Sequence, residues 1–136
     1  MDRHVRNRLA LCAFAGSVAT PSICFACWSD AERLYGISAE LLYAVARAES
    51  DLQPAAVNRV HRTRTGSYDI GVMQINSRHL NKLAGFGISE VDLLEPCTNI
   101  KVGAWLLADS FTRYGVSWEA VGAYNAACTQ LKGDRA

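Results

Sequence analysis

The sequence predicts a mainly helical single domain with one irregular lobe near residues 55–75, preceded by a cleavable leader. Three observations carry that prediction. Apolar residues recur at three- and four-residue spacing in several segments, and most of those segments are flanked by capping residues. Between them lies a polar, basic, turn-rich stretch with no helical period. The chain has 136 residues, half of them hydrophobic, enough for one domain with its own core.

The N-terminus reads as a secretion signal. Arg3, Arg6 and Arg8 form a basic start, residues 9–19 an apolar run without a polar face, and Pro21 breaks it. Cys24 and Ala26 supply small residues at the two positions that determine cleavage, so residues 1–26 are expected to be removed and 27–136 to form the mature domain. Ser17-Val18-Ala19 is a weaker second site, and Cys24 stands where a lipoprotein signal cut before Cys27 would carry an aliphatic residue.

Ser29 reads as the N-cap of a short helix ending before Gly36. Ser38 caps a second helix, with Ile37 and Leu42 placed to staple its start, and Pro54 prevents its continuation. Residues 55–70 then read as a loop or short ribbon. Their natural reading is a solvated surface, although Arg59, Arg62 or Arg64 could meet acidic groups on a polymer. His61 and His79 have no partner in sequence and are expected at the surface. Gly71 interrupts the apolar stretch 70–76, and Asn76 caps a helix ending near Gly85. Ser89-Glu90-Val91-Asp92 resembles a capping box for a short helix closed by Pro96. The longest helix is predicted over 98–114, with Ile100, Ala104, Leu107, Phe111 and Tyr114 as its buried stripe and Gly115 as its stop. Ser117 caps a last helix carrying Trp118, Val121 and Tyr124.

One residue stands out on the second helix. Leu42 and Val45 mark its apolar stripe, and Glu49 follows them by seven and four residues, on the same face. The helix C-terminus already carries partial negative charge, so burial and the macrodipole both favour the protonated carboxyl. A carboxyl neutral near pH 7 can protonate a leaving group. On helix geometry alone, a Glu at the stripe edge bending out to water is the commoner outcome, and the rest of the chain must decide.

Formal charge near neutral excludes a nucleic-acid binder driven by phosphate contacts. No apolar run in the mature chain has the length and flanks of a membrane span. Cys27, Cys97 and Cys128 remain after the leader is removed. They lack paired zinc-site spacing and have no nearby His, so one disulfide with one leftover thiol is expected and no metal site.

Three segments in order, Ala48-Glu49-Ser50, Gly71-Val72-Met73-Gln74-Ile75-Asn76 and Ala123-Tyr124-Asn125-Ala126, resemble the SLT-type, lysozyme-like lytic transglycosylases. The similarity is strongest to small exported members associated with type III and type IV secretion and with conjugation, and it covers essentially the whole mature chain. The resemblance implies a mainly α, α+β lysozyme-like fold, a helical bundle around a groove with a small irregular or β-ribbon lobe. It implies cleavage of the MurNAc-β-1,4-GlcNAc bond of peptidoglycan with a 1,6-anhydro end, no cofactor, a periplasmic monomer, and secretion, pilus or conjugation machinery as further partners. Carried over residue by residue, Glu49 is the acid and Ser50 positions the sugar acetamide. Met73 and Gln74 line the groove with Asn76, Tyr124 hydrogen-bonds Glu49, and Asn125 holds the last helix or touches substrate. Cys27 and Cys97 match the family's bridged pair, and Cys128 has no family partner. Ala127-Cys128 depart from the Gly that usually follows the Tyr-Asn-Ala run, and relatives usually carry a further helix covering the groove.

Two other functions compete. A muramidase would need a second carboxylate across the sugar from Glu49, and Asp69 is the candidate, otherwise a turn residue. A non-catalytic peptidoglycan-binding module is the third reading, opposed by the intact Glu49-Ser50 pair.

Overall fold

The computed structural model describes residues 23–125, so the basic start and apolar run of the expected leader, together with Ala126, Ala127 and Cys128, lie outside the described residues. Among the described residues five helices surround one apolar core, and a three-stranded antiparallel ribbon with a sixth, one-turn helix forms a lobe. Helix α1 spans Phe25–Tyr35 and ends at Gly36, whose left-handed backbone lets its N–H reach the Glu32 carbonyl. Ser29 is not its cap, contrary to the sequence expectation. The helix starts four residues earlier, and the Ser29 hydroxyl donates back to the Ala26 carbonyl at 3.2 Å. The expected cut after Ala26 therefore falls inside α1.

Helix α2 spans Ala39–Ser50. Ser38 caps it by accepting from the Leu41 N–H, and Leu42, Val45 and Ala46 are its buried face. It stops where Asp51 and Leu52 take positive φ, just before Pro54. Strands β1 (Val57–Asn58), β2 (Asp69–Ile70) and β3 (Ile75–Asn76) then pair in the order β1-β2-β3, with one helical turn, α3 (Arg62–Thr65), between the first two. The register sets Asp69 opposite both Asn58 and Asn76, and Ile70 opposite both Val57 and Ile75. The irregular lobe is thus a ribbon whose Ile70–Ile75 side enters the core.

Asn76 caps a 3₁₀ turn over Ser77–His79 that runs into α4 (Leu80–Ala84), as its spacing predicts. Ser89 and Asp92 cap each other before the 3₁₀ turn Asp92–Leu94. The longest helix, α5, spans Pro96–Tyr114 and so begins two residues before its predicted start. Pro96 follows the short turn and also opens α5 at a first position where a missing N–H costs nothing. Glu95 is the cap, its carboxylate accepting from the N–H groups of Cys97 and Thr98. Ile100, Ala104 and Leu107 are fully buried, but Phe111 is only partly covered and Tyr114 is 53 % exposed, so the predicted stripe ends a turn early. Helix α6 (Trp118–Asn125) is capped by Ser117 and fastened to α5 where Ser110 Oγ donates to the Ala120 carbonyl at 2.8 Å.

A disulfide joins Cys27 on α1 to Cys97 in the first turn of α5, closing a 70-residue separation. By loop entropy that link is worth on the order of 4 kcal/mol. α5 packs against α1, α2, α6 and β3, so it is the axis on which the other elements are placed.

Candidate active site

Glu49 is half-buried near the end of α2, beside a shallow cavity of about 150 Å³ lined also by Val45, Ala48, Val121, Gly122 and Tyr124. Among the described residues no hydrogen bond or ion pair reaches its carboxyl. Burial, and then the charge of Asp69, push its pKa up from 4.5 to about 7. The carboxyl is therefore a proton donor near neutral pH, with its acidic hydrogen uncommitted among the described residues. A larger hollow of about 220 Å³, between Leu41, Phe111 and Trp118, contains no titratable group.

Asp69 is placed quite differently. One carboxylate oxygen accepts from Asn76 Nδ2 at 2.8 Å, and the other lies 3.4 Å from His61 Nε2. Asn76 also donates to Ser67 Oγ and accepts from the Arg78 N–H, so it is held on both sides. His61 is correspondingly 21 % exposed at its side chain and is a partner of Asp69, not the isolated surface residue expected from sequence. His79 is also partly buried, and burial then Lys82 lower its pKa. Among the described residues no cluster of three His, Cys, Asp or Glu side chains could hold a metal.

The 71–76 segment, tied to α2 through Ser50 and to Asp69 through Asn76, is fixed from behind. Gly71 has φ +78°, and a Cβ there would lie 2.1 Å from Asn99 Nδ2 and 2.5 Å from the Leu93 carbonyl oxygen. Only glycine fits both the backbone and the space. Asn99, fully buried on α5, donates from Nδ2 to the carbonyls of Ile70 and Leu93 and accepts the Met73 N–H at 2.7 Å. Sequence reasoning missed Asn99. Its signal was an amide beside the buried stripe, one residue before Ile100 and four before Gly103. Gly103 leaves room for Met73, whose side chain atoms would sit 2.9 Å from a Cβ there.

Several expected roles change in consequence. Met73 is fully buried, so it supports the cleft wall from within and does not line it. Gln74, at φ +50°, spends its amide on the carbonyls of Gly71 and Ala56 and closes the turn. Ser50 Oγ donates to the Val72 carbonyl at 2.7 Å and accepts from the Gln53 N–H, tying the end of α2 to the same segment. The Tyr124 hydroxyl donates to the Met73 carbonyl at 2.8 Å and not to Glu49. Burial, then the carboxylates Glu49 and Asp69, hold its pKa well above the usual value, so it stays a donor. The motif brought Tyr124 to the site, and a backbone carbonyl of the turn claimed its proton. Asn125 ends α6, and its side chain lies outside the described residues.

One carboxyl with a raised pKa beside a cavity thus lies within electrostatic reach of one held by polar partners, and the segment that Tyr124 and Ser50 grip is clamped to α5. The family model described as Transglycosylase SLT domain matches residues 26–135. Invasion protein IagB of Salmonella typhimurium is 49 % identical over 109 residues, covering 79 % of this chain and 66 % of that protein. The X polypeptide of Escherichia coli (strain K12) is 45 % identical over 107 residues, 76 % of this chain and 62 % of that protein. Protein IpgF of Shigella flexneri is 42 % identical over 107 residues, 78 % of this chain and 68 % of that protein. The chain spans about two thirds of the length of these curated relatives. A match of that extent, along the stretch that builds the cleft, makes this chain a member of the SLT transglycosylase domain family.

Proposed function

We propose that the protein is a peptidoglycan lytic transglycosylase that uses Glu49 as both acid and base. The observation that carries this reading is the half-buried Glu49 carboxyl beside a cavity, with no polar partner among the described residues, where burial and then the charge of Asp69 raise its pKa to about 7. Glu49 protonates the glycosidic oxygen between MurNAc and GlcNAc as the C1–O bond breaks. The substrate's own acetamide stabilises the cationic sugar. Glu49, now a carboxylate, takes the proton of the C6 hydroxyl as C6–O attacks C1, so the 1,6-anhydro ring closes, no water is consumed and the acid is restored. Ser50 acts through the segment it holds, with Asn76 and Tyr124 completing that support.

Export through the leader, followed by oxidation of Cys27 and Cys97, agrees with action in the periplasm. Among the described residues no helix is long and apolar enough to cross a membrane. We read the enzyme as a monomer that opens the wall locally for a secretion, pilus or conjugation apparatus, a reading in keeping with its kinship to a protein named for invasion.

A muramidase is the second reading, favoured by the placement of Asp69, whose charge reaches Glu49. A water molecule would then be added at C1. Mass spectrometry of digested peptidoglycan separates the two. Muropeptides lacking one water at the muramic end are expected, and reducing ends alone would assign the protein as a hydrolase.

A further inference from the structure

The ribbon lobe carries a disproportionate share of the positive charge. Residues 57–79 contain four arginines and one acid, Asp69, whereas the rest of the 27–136 domain has seven basic and eleven acidic residues. Arg33, Arg47 and Arg113, on the helical body, each pair with an aspartate three or four residues away. Among the described residues, Arg59, Arg62, Arg64 and Arg78 form no ion pair.

These arginines are not loosely held. The guanidinium carbons of Arg59 and Arg62 lie 5.1 and 5.3 Å from the centroid of the Tyr68 ring. That ring is anchored where Tyr68 Oη donates to Glu90 at 2.7 Å. Arg78 donates to the Thr65 carbonyl at 2.6 Å, fastening α3, which presents Arg64 to solvent. Two cations converging on one ring repel each other, and Glu90 offsets only one of them. A guanidinium held against a ring keeps its N–H edge free for a carboxylate. His61, between Arg59 and Arg62 in sequence, contacts Asp69, so the basic face adjoins the cleft.

Where a stem is attached, the lactyl carboxyl of MurNAc is taken up in the amide bond, so the sugars of a stem-bearing strand offer these arginines no charge. The peptide stems attached to MurNAc carry free carboxylates. We infer that Arg59, Arg62 and Arg64 form a binding face for stem carboxylates beside the cleaved strand, an inference that rests on peptidoglycan being the substrate. The face favours wall with charged stems over wall whose stems are neutral and makes capture salt-sensitive.

The test is co-sedimentation of the exported chain carrying Glu49→Gln with two forms of sacculi, native and with stem carboxylates converted to amides. Each exposed pair is worth roughly 1.5- to 5-fold, so amidation should weaken binding of the parent ~5-fold or more. Adding Arg59→Gln, Arg62→Gln and Arg64→Gln should weaken binding to native sacculi as much and abolish the effect of amidation. An unaltered melting temperature would show that the variant is folded. Parent binding unchanged by amidation, or amidation sensitivity that survives the three substitutions, would overturn the inference and point to an acidic protein as the partner of this face. The readout needs no turnover, so it stands or falls separately from the catalytic reading.

Discussion

Glu49 and Asp69 are both partly buried carboxyls within electrostatic reach of each other, yet the helical body and the ribbon lobe treat them in opposite ways. The body supplies Glu49 with apolar neighbours and no donor among the described residues, so its proton is retained to about pH 7. The lobe supplies Asp69 with an amide donor and a histidine. Environment, not residue type, therefore separates the proton donor from the charged neighbour. The direction of influence also matters, because the lobe's charge helps keep the body's carboxyl protonated.

The comparison breaks most completely at Glu49 itself. Glu49→Gln keeps the shape and removes the titratable proton, and general acid catalysis alone is worth ~10²–10⁴-fold. A folded variant with at least a hundredfold lower turnover is expected, and wild-type-like lysis would end the assignment. The same variant has a stability signature. Because the folded pKa of Glu49 is raised from 4.5 to about 7, its contribution is intact below pH 4.5 and is lost as pH rises through 7. Urea unfolding should show the Gln variant gaining on the wild type across that window, and parallel pH dependences would contradict the raised pKa.

Asn99→Leu removes the clamp that holds the wall between the two regions. It leaves two carbonyls and one N–H without their partner in the core. A loss of roughly 3 kcal/mol or more is expected from chemical unfolding at constant disulfide state. A loss below about 1 kcal/mol would show that the turn is held by the strand pairs alone.

Asp69→Asn sharpens the comparison without abolishing it. Burial is the larger cause of the Glu49 shift and Asp69 the smaller, so the basic limb of the pH–rate profile should move to lower pH by less than about one unit. Turnover and anhydro products should persist. Complete loss of turnover with the fold intact would favour the muramidase.

Tyr124→Phe should have the smallest effect. It deletes one hydrogen bond, from the phenol to the Met73 carbonyl, worth about 1 kcal/mol. The thermal transition should fall slightly while the pH–rate profile stays in place. A displaced profile would indicate that the hydroxyl acts directly on Glu49.

The elements of the body were legible in the sequence because their signals are local. Ser38, Asn76, Ser117 and Gly115 cap or stop helices within a few residues of themselves, and the stripe through Leu42 and Val45 located Glu49. The surroundings of Asp69 were not legible. They require two antiparallel pairings and a helical turn to bring positions 61, 69 and 76 together. The third motif was legible as a place but not as a contact, since Tyr124 reaches the cleft and bonds to a backbone carbonyl that no side-chain pattern encodes. Asn99 was hidden because period-based reading looks for apolar residues, and the inward position here is an amide.

The Asn99 clamp also sets a timescale. The Met73 N–H belongs to a turn between two short strands, where amide protons ordinarily exchange with solvent through local fraying. Here it is bonded to a side chain rooted in the longest helix and fully buried. Its deuterium uptake should follow the slow opening of α5, in step with the Ile100 and Leu107 amides and well behind those of Val60 or Arg64. A segment made of loop, beside the candidate acid, would then carry the kinetic protection of the core.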